Sequence, residues 1–113
     1  MSRADVVRLE RTKGRRLHGA LFSLTAAPLP SGQRTSRWTC VVSKKVASKA
    51  VERNRIKRRC REAARAHVRD VPAPLALLFR AKKEAAGATF ADVGRDVHAL
   101  VEKLLHIGYN SSQ

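Results

Sequence analysis

Between Arg53 and Arg65, seven of thirteen residues are Lys or Arg and one is an acid, Glu62. That density leaves the segment few folded states. It holds no Gly or Pro, and its residues suit a helix of roughly Ala50 to Val68. At about 100° per residue, Ile56, Cys60, Ala63 and His67 fall on one stripe. Asn54, Arg58, Arg61 and Arg65 fall within a narrow arc on the opposite side. One side can therefore lie on a sheet while the other presents a row of guanidinium groups. The alternative is a merely solvated face, but exposed helices usually mix charge signs at i and i+4. Here like charges recur at that spacing and destabilise the free helix. A polyanion bound to this side relieves the repulsion. Arg offers a planar fork of donors matched to phosphate oxygens and also stacks on bases. Asn54 adds a neutral donor and acceptor for a sugar hydroxyl, a base edge or a phosphate.

The rest of the chain agrees with a polyanion partner. The 113 residues carry a formal charge of +15 and make room for a single domain, 1–113. Apolar residues are 43% but aromatics only 4%, so the core must be built from Leu, Val and Ala. The longest apolar stretch, Pro74 to Phe79, is far shorter than a bilayer requires. Arg3, Asp5, Arg8, Glu10 and Arg11 interrupt the region where a secretory signal would be apolar, so a cytoplasmic location is expected and no membrane partner. Pro72 and Pro74 follow the basic run where a DNA-binding zipper would need leucine heptads, and no short helix precedes it at helix-turn-helix spacing. A DNA partner is not expected.

Met1 to Lys13 reads as a short, weak helix anchored by Val6, Val7 and Leu9 and ended by Gly14. Arg15 to His18 is a short extended piece, and Ala20 to Thr25 reads as a strand. Pro28, Pro30 and Ser31-Gly32-Gln33 make a loop before a second strand, Trp38 to Val42, and the two are expected to pair antiparallel. Ser43 to Lys49 is a basic connector into the main helix. Leu75 to Phe79, apolar throughout, reads as a buried strand with a basic tail in Arg80, Lys82 and Lys83. Thr89 and Asp92 have the spacing of a capping box. The helix after them carries the stripe Phe90, Val93, Val97, Leu100, Val101 and Leu104 and stops near Gly108, with 110–113 frayed. This is an α/β (α+β) sandwich, helices on a small mixed sheet. Parallel pairing of the strands flanking the basic helix would make a β-α-β crossover.

Cys40 and Cys60 read as separate, small, buried hydrophobes, and the four histidines are scattered. Neither set has metal-ligand spacing, and no nucleophile–base constellation is present. No catalytic side chain and no protein metal site are expected. Trp38 reads as core or edge packing.

Val42-Ser43-Lys44-Lys45-Val46, seven intervening residues from the Lys pair, then Arg53-Asn54-Arg55-Ile56-Lys57-Arg58 resembles the signature of the protein subunit of bacterial ribonuclease P. Gly14-Arg15-Arg16 and Phe22-Ser23-Leu24 are similar to that family's first strands, Leu78 to Lys83 to its last strand, and Thr89 to Leu105 to its closing helix. The likeness spans about Val7 to Leu105. It implies the order α-β-β-β-α-β-α, a sheet of about four strands and a left-handed crossover. It also implies that a catalytic RNA is the active site of an endoribonuclease. That RNA removes the 5′ leader of precursor tRNA with Mg²⁺, held mainly by RNA, activating water.

Two surfaces follow from the resemblance. Arg53, Asn54, Arg55, Lys57, Arg58, Arg59, Arg61 and Arg65, with Lys44 and Lys45 beside them, would contact the catalytic RNA. A cleft between sheet and helix would hold the single-stranded leader, with Phe22 as a stacking aromatic and Lys82 and Lys83 on phosphates. Phe22 reads equally well as a packing residue. The sequence departs from the family at Val6 and Val7, which stand near its cleft Phe residues, and at Thr25, where a further aromatic is expected. The competing reading is a ribosome-associated or general RNA-binding module with no enzymatic context.

Overall fold

The basic run forms a helix, α1 (Ala50–Val68), within the bounds read from the sequence. The structure, a computed structural model, describes residues 15–28, 36–69, 71 and 75–107. The expected first helix, the Pro30–Gln33 part of the loop, the Gly108 stop and the frayed tail all lie outside these residues. Ile56, Cys60, Ala63, Ala64 and Val68 form the buried side of α1. His67, expected on that stripe, is only half-buried. Its ring stacks on His98 at 4.5 Å, with 9° between the planes, at the seam between α1 and the closing helix.

Among the described residues four strands, β1 (Arg15–His18), β2 (Phe22–Pro28), β3 (Arg37–Val41) and β4 (Leu75–Ala81), form one sheet in the order β1-β2-β4-β3. The expected antiparallel pairing of β2 with β3 is wrong. β4 lies between them, antiparallel to β2 and parallel to β3. The reason is hydrophobic: Leu75 to Phe79 are all buried, which suits a central strand covered on both faces. β3, α1 and β4 therefore make the β-α-β crossover.

Cross-strand register sorts the side chains by face. Leu17, Leu24, Phe79 and Cys40 make one row, and Ala26, Leu77 and Trp38 the next, all on the face that packs with both helices. On the other face, Thr25, Leu78 and Thr39 share a row with Arg16, and Ser23, Arg80 and Val41 share one with His18.

A one-turn 3₁₀ helix over Lys83–Gly87, not foreseen in the sequence, follows β4 and buries Ala85. The closing helix, α2 (Phe90–Ile107), starts at the expected capping box. The Thr89 N–H donates to Asp92 Oδ2 at 3.3 Å and the Asp92 N–H to Thr89 Oγ1 at 3.1 Å. The backbone N–H of Thr89, more than any other group, holds the Asp92 carboxyl below its ordinary value. Val93, Val97, Leu100, Val101 and Leu104 are buried, but Phe90 is 50% exposed. It shares their azimuth but stands at the first position of the helix.

α2 also fixes the β1–β2 turn. Asp96, 9% exposed, accepts the N–H groups of Ala20 (2.8 Å), Leu21 (3.0 Å) and Phe22 (2.9 Å). Gly19 closes the turn through its N–H to the Phe22 carbonyl at 2.8 Å. Lys103 donates to the His18 carbonyl at 3.2 Å.

Candidate nucleic-acid interface

Asn54, Arg55, Arg58, Arg61 and Arg65 are exposed along the outward side of α1, and Lys57 is half-buried at its border. On α2, Arg95 pairs with Asp92, and His98 Nε2 stands 3.3 Å from Glu102 Oε1. No ion pair joins a described carboxylate to the α1 row, and between Arg53 and Arg65 a single acid, Glu62, stands against seven cations, so the net field of this side is positive.

Two members of the expected set point elsewhere. Arg53 is half-buried and its Nη1 donates to the carbonyls of Ala47 (3.0 Å) and Ser48 (2.7 Å), tying the connector to the first turn of α1. Arg59 is half-buried and donates to the Ala88 carbonyl at 2.9 Å, tying α1 to the segment before α2. Both were visible in the helical phase. Arg53 falls in azimuth between Cys60 and Ala64, inside the buried arc, and Arg59 borders it on the far side.

Strand direction gathers the remaining lysines. β3 and β4 are parallel, so both finish at one end of the sheet, with Val41 opposite Arg80. Lys44 and Lys45, exposed in the turn closed by the Val46 N–H to the Ser43 carbonyl at 3.0 Å, extend from β3. Lys82 and Lys83 extend from β4. Lys83 is exposed, whereas Lys82 is half-buried and donates to the Gly19 carbonyl at 2.7 Å.

Phe22 requires a correction. Its side chain is 0% exposed, on the sheet face that packs with α1 and α2. A sealed ring offers no plane for a base, so it serves as packing. The face opposite α1 and α2 carries exposed Arg16, His18 and Arg37 and half-buried Ser23 and Thr39 around a second buried cluster of Ala27, Ala76 and Leu78. That face was missed because a strand's two sides become distinguishable only when the helices are placed on one of them. A hollow elsewhere, lined in part by Leu21, Glu84, Asp92, Arg95 and Asp96, sets three carboxylates against one guanidinium and does not suit a polyanion.

Cys40 and Cys60, read as unrelated, meet with their sulfurs 2.7 Å apart. Among the described residues, no group of three or more His, Cys, Asp or Glu could hold a metal ion. None of the described helices is long and apolar enough to cross a membrane.

Comparisons with known proteins agree with this geometry. The family model for Ribonuclease P matches residues 6–105. A Ribonuclease P protein component from Bordetella avium (strain 197N) is 40% identical over 98 residues, covering 74% of this chain and 82% of its own. The RNase P protein of Staphylococcus aureus superposes with a TM-score of 0.79 at 23% identity over 91% of each chain. That of Thermotoga maritima does so with 0.76 at 24% identity, over 89% of this chain and 92% of its own. A family match across nearly the whole chain, a curated relative of this identity and the shared fold converge: the chain belongs to the ribonuclease P protein family, the protein subunit of the ribonuclease that processes tRNA 5′ ends.

Proposed function

We propose that the outward side of α1, through Asn54, Arg55, Lys57, Arg58, Arg61 and Arg65, grips the folded catalytic RNA. Lys44 and Lys45 extend that contact around the end of the sheet. The observation that carries this reading is the row of exposed guanidinium groups with no described carboxylate partner. Arg53 and Arg59 act one step back, holding the helix at the angle from which the row is presented.

The single-stranded 5′ leader of precursor tRNA is assigned to the sheet face away from the helices, where Arg16, His18 and Arg37 are exposed. Lys83 stands at the sheet end and supplies a further phosphate contact. With no exposed aromatic among the described residues of that face, the leader is held by charge and hydrogen bonds more than by stacking.

Mg²⁺ is a hard cation that takes oxygen ligands and keeps several waters, a demand that RNA phosphates meet. The ion is assigned to the RNA, and the protein's share is positioning.

Reconstitution of the full chain with its cognate RNA tests the reading. The protein alone cleaves nothing. Added to the RNA, it lowers the Mg²⁺ concentration needed for cleavage and tightens binding of precursor over mature tRNA. A competent reconstitution showing neither effect removes the proposal.

A further inference from the structure

We propose that Cys40 and Cys60 form a thiol pair that closes to a disulfide when exposed to a peroxide, stapling the RNA-facing helix to the sheet. This inference stands apart from the RNA-binding reading, because it concerns the inner side of α1. Cys40 is on β3 and Cys60 on α1, 20 positions later, and their sulfurs stand 2.7 Å apart. A disulfide needs about 2.05 Å between sulfurs. Closing the pair therefore brings the sulfurs nearer by about 0.65 Å, a distance on the scale of a side-chain adjustment. Both thiols are free in the structure and buried, at 5% exposure for Cys40 and 0% for Cys60. No further cysteine exists in the chain to compete for either.

Burial sets how the reaction proceeds. The hydrogen bond with Cys40, followed by burial, pushes the Cys60 thiol far above its ordinary value, so it resists ionisation in the closed fold. Oxidation then begins during a local opening of the β3–α1 contact. The less buried Cys40 loses its proton and attacks one peroxide oxygen, cleaving the O–O bond to give a sulfenic acid and one water. The Cys60 thiol gives up its proton as its sulfur displaces the hydroxyl from the Cys40 sulfur, releasing the second water. Two thiols and one hydrogen peroxide become one disulfide and two waters. The bond closes a loop that contains the whole basic connector and the first half of α1, which reduces the freedom of the unfolded chain.

The test is mass spectrometry and thermal unfolding of the full chain after hydrogen peroxide, with excess alkylating agent added on denaturation. The expected product is a monomer about 2 Da lighter with no alkylatable thiol. Its unfolding midpoint is expected about 10 °C above that of the reduced chain, and dithiothreitol reverses the shift after unfolding. Cys60→Ala and, separately, Cys40→Ala are expected to show no midpoint shift with peroxide. Should either variant fail to fold, the wild-type mass and midpoint still decide. Two thiols that remain alkylatable, a mass gain from added oxygen, disulfide-linked dimers, or an oxidised monomer with an unchanged midpoint would each overturn the proposal.

Discussion

A carboxylate buried in a chain of net charge +15 invites the expectation of a cationic partner, yet Asp96 takes three backbone N–H groups of the β1–β2 turn. Hydrogen bonds to an ionised acceptor are about twice as strong as neutral ones. The turn they hold sets the register in which Phe22 enters the core. The cost of this arrangement falls on residue 19. A Cβ at Gly19 would stand 2.7 Å from Asp96 Oδ1 and 2.8 Å from Oδ2. Asp96 is short and anchored by both oxygens, so it cannot withdraw without releasing the N–H groups it accepts. Gly19→Ala, mild on paper, is therefore expected to destabilise the chain by about 2 kcal/mol, the scale of one hydrogen bond to a charged group. Urea unfolding checks this. A midpoint equal to wild type would show that the carboxylate yields freely. Neither partner was readable in advance, because 74 to 76 positions separate Asp96 from the groups it binds and no spacing rule links them.

At the scale of elements, α1 divides its cations between two tasks. Arg58 lies in the middle of the exposed row, whereas Arg53 spends its guanidinium on the Ala47 and Ser48 carbonyls. The two are expected to fail differently. Arg58→Glu leaves the unfolding midpoint unchanged or raised, because it relieves like-charge crowding, and weakens binding to the catalytic RNA at least about tenfold. Arg53→Ala lowers stability by about 1–2 kcal/mol, from the lost bonds to two carbonyls, and weakens RNA binding through the loosened helix start. Unfolding and RNA titration of both variants decide it. An Arg58→Glu chain that unfolds would make that residue structural. The bounds of α1, its buried Ile56–Cys60–Ala63 side and the capping box of α2 were legible because each is written in local periodicity. Strand order was not, since β4, the strand that separates β2 from β3, comes after both. Its run of apolar residues did carry the clue, because a strand buried on both faces belongs in the middle. The Cys40–Cys60 contact was hidden for the same reason as the strand order: it exists only once α1 is laid on β3. Arg53 and Arg59 enter the RNA-facing set through the family resemblance, although helical phase alone places them beside the buried stripe.

For the whole molecule, a formal +15 spread over 113 residues is a field as well as a set of contacts. Its consequence is counterion release: each phosphate neutralised by a cation frees a bound ion, so affinity falls with added salt. The outward side of α1 and the adjoining turn offer Arg55, Lys57, Arg58, Arg61, Arg65, Lys44 and Lys45. If all are engaged, the logarithm of affinity for the catalytic RNA falls against the logarithm of salt with a slope of about −6. Between 50 and 200 mM salt that is a loss of roughly three and a half orders of magnitude. The charge total alone cannot locate the contact, because any basic protein binds RNA more weakly in salt. Position is resolved by single substitutions. Arg58→Ala should reduce the magnitude of the slope by about one. Arg95→Ala, which removes the same charge from α2 where Asp92 pairs with it, should leave the slope unchanged. Equal slopes for the two variants would mean that the RNA senses only net charge, and the α1 row would lose its claim to be the interface.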